Sequence, residues 1–345
     1  MNKYYKKLEL DKILELLAEQ TVSDGCRESA LKLNPVTDYA RITEELKKTD
    51  DAFTLSAKFG TPAFRKIKDI SGSLKRAETG SMLSFRELLD TAAVLRETAA
   101  LCDWFSQCEN MESSIAEYFR GLVPVKALER RISESILSEE EMSDAASAEL
   151  ASIRKRITRQ GLNIREQLDS MIKNKNTRSY LQDAVVTMRD GRYVVPVRSE
   201  HKNDVPGLVH DTSATGQTFF IEPMSVVEAN NEIRVLKARE QAEIERITRE
   251  MSAKVGENSA AIAENFRLSQ ILELYFAKAN LGAKMRAVTP KIVEQPKVIL
   301  NNARHPLLDR DLAVPISVEI GDKYDCLIIT GPNTGGKTVA IKTVG

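Results

Sequence analysis

The segment from residue 330 to residue 345 has residue types and spacing that suit phosphate binding. Its core pattern is Gly331-x4-Gly336-Lys337-Thr338. In loops of this pattern, glycines allow backbone N–H groups to surround a polyphosphate, and the start of the following helix adds positive potential. The apolar run at 327–329 suits a buried parallel strand directly before the loop. The sequence therefore predicts a strand, a phosphate-binding loop and the beginning of a helix.

We expect the nucleotide to be ATP, with Lys337 at the β- and γ-phosphates and Thr338 binding Mg²⁺. These two residues are also the catalytic candidates. The loop residues expected to contact the nucleotide are Gly331, Pro332, Asn333, Thr334, Gly335, Gly336, Lys337 and Thr338. Hydrolysis further requires a second carboxylate for Mg²⁺ and a group that orients the attacking water. Because few residues follow Thr338, we expect this chain to be a fragment of a longer ATPase that completes the active site.

Composition sets the broad class of the protein. The chain has 345 residues, 42% of them hydrophobic, and a formal net charge of zero. This length predicts two to three domains, and the charge excludes a globally basic nucleic-acid binder while leaving local basic patches possible. No apolar run approaches the ~18 residues of a membrane span, and the N-terminus lacks the apolar core of a signal peptide. We expect a cytoplasmic protein without a membrane partner.

Apolar spacing divides the chain into helical and β-like stretches. Residues 1–130 have the pattern of short amphipathic helices, and the apolar residues between 146 and 171 recur at near-heptad spacing. Residues 187–197 contain a hairpin dipeptide, Asp190-Gly191, between β-branched residues, and 207–223 form a second β-like run. Helical spacing returns after Met224. The pattern predicts a helix leading out, a β tip and helices leading back.

These stretches predict a mainly α fold with a long antiparallel helical lever and a small β clamp, followed by the start of an α/β P-loop domain. The predicted domains are a helical core at 1–130, a lever helix at 131–183, the clamp at 184–223, returning lever helices at 224–286 and part of the ATPase domain at 287–345. We expect the clamp residues to lie outside any globular core. A packed helical bundle is the alternative for the same pattern.

Charge along the outgoing helix is uneven. Residues 133–150 contain six acidic and no basic residues, whereas residues 151–180 contain eight basic and two acidic residues. Helical geometry places several basic side chains opposite the apolar stripe. They are Arg154, Lys155, Arg159, Arg165 and Lys173. A track that contacts nucleic-acid phosphates and an ordinary solvated helix face both explain this pattern.

Three segments together resemble the MutS family. They are Thr330-Gly-Pro-Asn-Thr-Gly-Gly-Lys-Thr338, Ala303-Arg-His-Pro-Leu-Leu308 and Val209-His-Asp-Thr-Ser-Ala-Thr-Gly-Gln-Thr-Phe-Phe-Ile-Glu-Pro223. The last is most similar to the second bacterial MutS paralogue, and the resemblance covers the whole chain. It implies a clamp at the lever tip and an ATPase shared between two subunits of a homodimer. It also places the nucleotide base near Val314, where no aromatic residue is available for stacking.

The resemblance implies two targets for the full-length protein. This branch of the family suppresses homologous recombination by binding branched DNA, splits collided ribosomes, and carries a C-terminal Smr endonuclease domain. The sequence favours neither target over the other. Mismatch recognition is not expected, because the chain begins with core-like helices and Phe85-Arg86-Glu87 lies within an amphipathic helical pattern.

The same sequence pattern also allows three other classes of protein. A mismatch-repair MutS-like DNA-binding ATPase and an SMC-like coiled-coil ATPase are alternatives, although in the latter the P-loop normally precedes the coil. A helical binding scaffold with an accidental P-loop pattern is a third. The neighbours His210, Asp211 and Ser213 are expected to stabilise a turn, since a catalytic triad draws its members from separate elements. The four cysteines are expected to be reduced core thiols.

Overall fold

The structure is a computed structural model that describes residues 3–108, 112–309, 311–332 and 336–345. Helices predominate, as the sequence predicts. The helices are α1 Lys3–Lys7, α2 Leu10–Ala18, α3 Asp24–Leu31, α4 Tyr39–Phe59, α5 Ser71–Glu78, α6 Phe85–Ser106, α7 Ala116–Arg120, α8 Lys126–Ser135, α9 Ala148–Lys173, α10 Lys175–Arg178, α11 Val227–Glu257, α12 Ser259–Met285 and α13 Lys337–Val344. The strands are β1 Thr187–Arg189, β2 Arg192–Arg198, β3 Gly207–Thr212, β4 Thr218–Pro223, β5 Val298–Ala303 and β6 Ile316–Ile320.

The first of two compact units contains Met1–Glu78, Asp90–Glu129 and Val255–Gly345. Its centre is α12, which packs against α2, α3, α4, α5 and α7. Phe276 of α12 is 1% exposed, and its ring lies 5.6 Å from that of Trp104. Aromatic rings in such tilted or edge-on contact add stability beyond the apolar area they bury. The apolar side of α12 is therefore the core of this unit.

The second unit contains Thr79–Leu89 and Arg130–Lys254. Its long helices α9 and α11 are antiparallel, because their paired residues run in opposite order. Ser147 binds Glu243, Arg154 binds Glu240 and Arg156 binds Glu232. The spacing that predicted the outgoing helix is confirmed over α9, whose buried residues include Leu150, Ile153, Ile164 and Leu168.

A four-stranded antiparallel sheet with the order β1-β2-β4-β3 completes this unit. Arg189 pairs with Arg192 across a two-residue turn at Asp190 and Gly191, whose φ angles are 48° and 75°. Two consecutive positive φ angles match the right-handed twist of the flanking strands, and Gly adopts them without steric cost. The hairpin predicted from the Asp-Gly dipeptide is confirmed.

Three expectations differ from the structure. The first concerns the sheet, which has a core of its own: Val195, Val197 and Ile221 are buried with Ile164 and Leu168 of α9. The expectation that clamp residues lie outside any core is wrong, since the apolar ends of the helices cover one sheet face. The second concerns the lever stretches. The stretch 131–183 is not one helix, because it contains other elements before and after α9. The stretch 224–286 includes α12, which packs in the first unit.

The third difference lies before the phosphate loop. Among the described residues, the run 327–329 forms no strand, and its side chains are 46%, 80% and 38% exposed. A strand requires a neighbouring strand for its backbone hydrogen bonds. In this unit β5 and β6 pair with each other, antiparallel, and neither pairs with 327–329. The predicted strand is therefore wrong for this structure.

Candidate nucleotide site and nucleic-acid interface

The phosphate-loop pattern leads directly into α13, which begins at Lys337. Gly331 and Gly336 have φ angles of 138° and 82°, a conformation that side chains rarely adopt. Gly336 is the residue that precedes the helix, so the free N–H groups of the first turn of α13 follow it directly. The loop-to-helix junction predicted from the sequence is thus present at this position.

The two catalytic candidates lie at the start of α13. The ammonium group of Lys337 donates a hydrogen bond to the carbonyl oxygen of Gly331, across the loop. Thr338 is exposed. This bond links two described residues of the loop pattern, and the ammonium group carries the positive charge that a phosphate requires. Pro332 is described and exposed, whereas the predicted contacts at Asn333, Thr334 and Gly335 lie outside the described residues.

The remaining residues fit a nucleotide in part. The free helix N–H groups, the Lys337 ammonium group and the Thr338 hydroxyl group are the donor set that a Mg²⁺-bound polyphosphate requires. Val314 is 82% exposed and beside Ala313, which is 9% exposed. An exposed aliphatic side chain can contact a base without selecting among bases. Its proposed role as a base contact stays a prediction.

Helix α13 is held by an ion pair with the N-terminal part of the same unit. The Lys342 ammonium group lies 2.8 Å from the carboxylate of Glu9, and His305 lies 3.9 Å from the same carboxylate. Hydrogen bonds from Lys12 and then Lys342 lower the pKa of Glu9 from 4.5 to about 2. His305, only 8% exposed, also accepts a hydrogen bond from the Leu307 backbone. This arrangement gives His305 a structural role.

The basic side chains of α9 have different environments. Lys155, Arg159 and Lys173 are exposed, and no ion pair involves them in the described part of the chain. Arg165 is also exposed, and its guanidinium group lies 5.8 Å from the ring centre of Tyr193. Arg154 differs, because it is only 26% exposed at its side chain and is paired with acidic groups. Four of the five candidates thus have cationic groups accessible to phosphate.

Arg154 has a structural role. Its guanidinium group donates to Asp144 at 2.6 Å, to Glu240 at 2.7 Å and to the Met142 carbonyl oxygen at 2.7 Å. These bonds join α9 to α11 and to the segment that precedes α9. Two carboxylates beside one guanidinium group leave a net negative charge there, which disfavours a phosphate. Its proposed contact with nucleic acid is correspondingly the weakest of the five.

The neighbours His210, Asp211 and Ser213 do not converge. The His210 ring bonds to the carboxylate of Glu222, whereas the Ser213 hydroxyl group accepts a hydrogen bond from the Thr218 backbone at 3.1 Å. Asp211 forms an ion pair with Arg189 at 3.1 Å. Ser213 stabilises the turn at 213–218, as predicted, whereas His210 and Asp211 bind residues of β4 and β1.

Glu222 is a functional candidate that the sequence analysis missed. Its side chain is fully buried, and Arg192 donates to both carboxylate oxygens at 2.7 and 2.8 Å while His210 bonds to one of these oxygens. A buried carboxylate is stable only when paired and hydrogen-bonded. The signal was present, since Glu222 lies in an otherwise apolar strand, Thr218–Pro223.

The residues of the described ranges also bear on metal binding and membrane insertion. These residues contain no group of three or more His, Cys, Asp or Glu side chains that could hold a metal ion. No helix among them is long and apolar enough to cross a membrane. The four cysteines are free thiols: Cys26 and Cys108 are buried as predicted, and Cys102 is half-buried. Cys326 is exposed, so the prediction of a core position is wrong there because its neighbours form no strand.

Comparison with known proteins identifies long relatives. A protein named Endonuclease MutS2 from Ruminiclostridium cellulolyticum is 44% identical over 345 residues, which are 99% of this chain and 44% of the relative. Proteins of the same name from Agathobacter rectalis and Alkaliphilus oremlandii are 44% and 40% identical, over 99% and 98% of this chain and 44% and 43% of the relatives. The chain therefore spans less than half the length of these relatives. No family model matches it.

Proposed function

This chain belongs to the bacterial MutS2 family, and from that premise we propose that it binds nucleic acid through α9 and binds ATP through its phosphate loop. The observation that carries the proposal is the set of exposed basic side chains on α9. Lys155, Arg159 and Lys173 face solvent, opposite the residues that α9 buries. Cationic side chains on a rigid helix can follow a phosphate backbone without reading its sequence. Family membership argues against the SMC-like alternative and favours a MutS2-type protein over a mismatch-repair protein.

ATP and Mg²⁺ are the proposed cofactors. Bound Mg²⁺ would neutralise the developing charge on the transferred phosphoryl group. Lys337 would exchange the Gly331 carbonyl oxygen for a phosphate oxygen, and the first turn of α13 would donate its free N–H groups. Thr338 would orient the metal through its hydroxyl group.

The activity of the whole protein is a further part of the proposal. The relatives are named as endonucleases, and they are more than twice as long as this chain. We place the nuclease centre and the remaining ATPase groups in sequence outside this chain, within a homodimer. The domains predicted from the sequence would act as core, lever, clamp and partial ATPase domain. The targets are branched DNA, for suppression of recombination, and collided ribosomes, for subunit splitting.

Nucleotide binding tests the phosphate loop. In the full-length protein, Lys337→Ala should weaken ATP binding and remove most turnover, because electrostatic stabilisation of the phosphoryl group is a major catalytic contribution. Isothermal titration and a steady-state phosphate-release assay measure both. The matched control is Lys291→Ala, at an exposed lysine of the same unit outside the loop pattern. Unchanged ATP affinity in the Lys337 variant would make the loop pattern accidental and leave the helical-scaffold alternative.

Salt dependence tests the basic face. Each neutralised phosphate contributes about −0.9 to the slope of log affinity against log salt concentration on duplex DNA. Replacing Lys155, Arg159 and Lys173 with Gln should flatten that slope by about two to three units if all three contact phosphate. The titration is run with branched DNA and with ribosomes, using the full-length protein.

A matched triple variant controls for net charge. Arg27, Lys47 and Arg120 are exposed basic residues of the first unit, and their replacement by Gln removes the same charge. The control should leave the slope within about half a unit of wild type. Equal flattening by both triple variants would mean that general charge, and not the α9 face, governs binding.

A further inference from the structure

A polar cavity of about 400 Å³ lies in the second unit beside the turn of the β1-β2 hairpin. Its six lining residues come from three separate segments, and three of them are cations. The six residues are Asp190, Gly191, Arg192, His210, Arg234 and Lys237. None of them belongs to the phosphate loop or to the basic face of α9. Three cations around one concave surface are the usual requirement for an anion site.

Arg192 is fixed in place before any ligand binds. One terminal guanidinium nitrogen donates to both oxygens of the buried Glu222, and the other terminal nitrogen donates to Asn231 at 2.7 Å. A guanidinium group has five N–H donors, so these three bonds leave two available. Its side chain is only 15% exposed. Because these bonds already fix the rotamer of Arg192, ligand binding does not incur the entropic cost of ordering this side chain.

Arg234 and Lys237 supply cations that the fold does not use internally. Both are exposed residues of α11, and no ion pair or hydrogen bond involves either side chain in the part of the chain that the structure describes. They are three positions apart, so their side chains lie on the same face of the helix. Two unpaired like charges held close together repel each other, and an anion between them removes that repulsion.

His210 completes the cavity because of an irregularity in the sheet. The pairing of β3 with β4 shifts between Val209 and Asp211, which makes His210 the extra residue of a β-bulge. Bulges redirect a side chain relative to the regular alternation of a strand. Here the ring bonds to the same Glu222 carboxylate that Arg192 binds. Asp190 is the acidic residue of the lining, and it is exposed at the turn.

We propose that this cavity, which we call the hairpin pocket, binds a phosphate group. The buried Glu222 balances Arg192, so Arg234 and Lys237 outweigh Asp190 and leave a net positive charge facing the ligand. Guanidinium groups match phosphate geometry through paired N–H bonds. The phosphate binding itself is independent of the proposed function, whereas its source in a nucleic acid rests on that function. The phosphate is either a backbone diester or a terminal monoester.

The first experiment uses inorganic phosphate as the probe. The chain has three histidines, so the imidazole signals are few in a proton–carbon NMR spectrum, and His210→Gln assigns the relevant one. All variants carry Lys337→Ala, so that the phosphate loop does not contribute. Phosphate should shift the His210 signal in a saturable manner and leave that of His201 unchanged. A His210 signal that does not respond overturns the proposal.

Variants of α11 identify the contacts. Arg234→Gln and Lys237→Gln should each weaken phosphate binding by about tenfold, the effect of losing one charge-assisted hydrogen bond. Arg239→Gln is the matched control, since Arg239 is an exposed cation of the same helix outside the pocket lining. Equal weakening by the Arg239 variant would show diffuse surface charge and overturn the pocket. Circular dichroism confirms that each variant is folded.

Labelled single-stranded oligonucleotides with either a 5′-phosphate or a 5′-hydroxyl group distinguish the two sources. Preference for the 5′-phosphate, lost in Lys237→Gln, assigns a terminal monoester to the pocket. Equal affinity for both, reduced by the same variant, assigns a backbone diester. If inorganic phosphate binds as expected but neither oligonucleotide does, the pocket stands as a phosphate site and its assignment to nucleic acid fails.

Discussion

Two fully buried glutamates, one in each unit of the molecule, have opposite environments. In the sheet-containing unit, Glu222 is bonded by Arg192 and His210. In the helical unit, Glu97 is fully buried and accepts a hydrogen bond from the Arg65 backbone at 2.7 Å. Its other oxygen has no hydrogen-bond partner among the described residues. Burial raises the pKa of Glu97 from 4.5 to about 7.

The difference shows how a buried acid contributes to a site. Glu222 is bonded by Arg192 and His210, and its two bonds with Arg192 hold that side chain at the hairpin pocket. Glu97 has no ion pair in the described part of the chain, so retaining a proton is its means of avoiding a buried charge. The first carboxylate organises a binding surface, whereas the second makes the stability of its unit depend on pH.

The largest effect is expected from Glu222→Gln, which removes the charge that Arg192 and His210 surround. Breaking a buried pair by removing one partner costs about 3 to 5 kcal/mol of unfolding free energy, because the remaining charge is left uncompensated. Urea unfolding followed by circular dichroism, with hydrogen exchange of the sheet amides, measures the loss. Glu228→Gln is the matched control, since Glu228 is exposed. A loss below about 0.5 kcal/mol would contradict the role of the pair.

A smaller effect of opposite sign is expected from Glu97→Gln. The pKa of the Glu97 carboxyl group is 4.5 in the unfolded state and about 7 in the folded state. As pH rises, this group therefore loses its proton first in the unfolded state. The contribution of protonated Glu97 is therefore fully present below pH 4.5 and declines between pH 4.5 and 7. Above pH 7 the Gln variant should be more stable than wild type by about 3 kcal/mol.

The difference between the two unfolding curves isolates Glu97 from the other carboxylates. Wild type and Glu97→Gln are unfolded in urea at several pH values from 4 to 8, and their free energies are subtracted. Glu117→Gln, at an exposed position of the same unit, should give a nearly flat difference. A flat difference for Glu97→Gln as well would show that its carboxyl group titrates normally.

The smallest effect is expected at a third buried carboxylate, Glu273, which accepts hydrogen bonds from the Ser23 hydroxyl group and from the Val22 and Ser23 backbone. Ser23 also caps α3 by accepting from the Cys26 backbone. Ser23→Ala should cost about 1 to 2 kcal/mol through the lost cap and hydrogen bond. Ser29→Ala, on the exposed side of α3, should change thermal stability little. Similar losses in both would remove the specific role of Ser23.

Contiguous features were predictable from the sequence, and convergent features were not. The Asp190-Gly191 turn and the apolar spacing of α9 depend on neighbours in the chain, and both are confirmed. The hairpin pocket forms where the bulge at His210 lies beside residues of α11. No local sequence pattern predicts that two such distant segments are in contact. The segment 183–223 also has more acidic than basic residues, so its charge did not predict a cationic cavity. The further cations of that cavity come from α11. The run 327–329 failed as a strand because pairing is not a local property.

The edges of the four-stranded sheet affect how the protein behaves at high concentration. One edge strand, β1, has three residues, and the other, β3, is interrupted by the bulge at His210. Unpaired edges otherwise recruit strands from other molecules and lead to aggregation. A short edge and a bulged edge each offer too few consecutive backbone groups for an added strand. The bulge that directs His210 into the pocket therefore also protects Leu208 and Val209, which are 47% and 42% exposed, from intermolecular β-pairing.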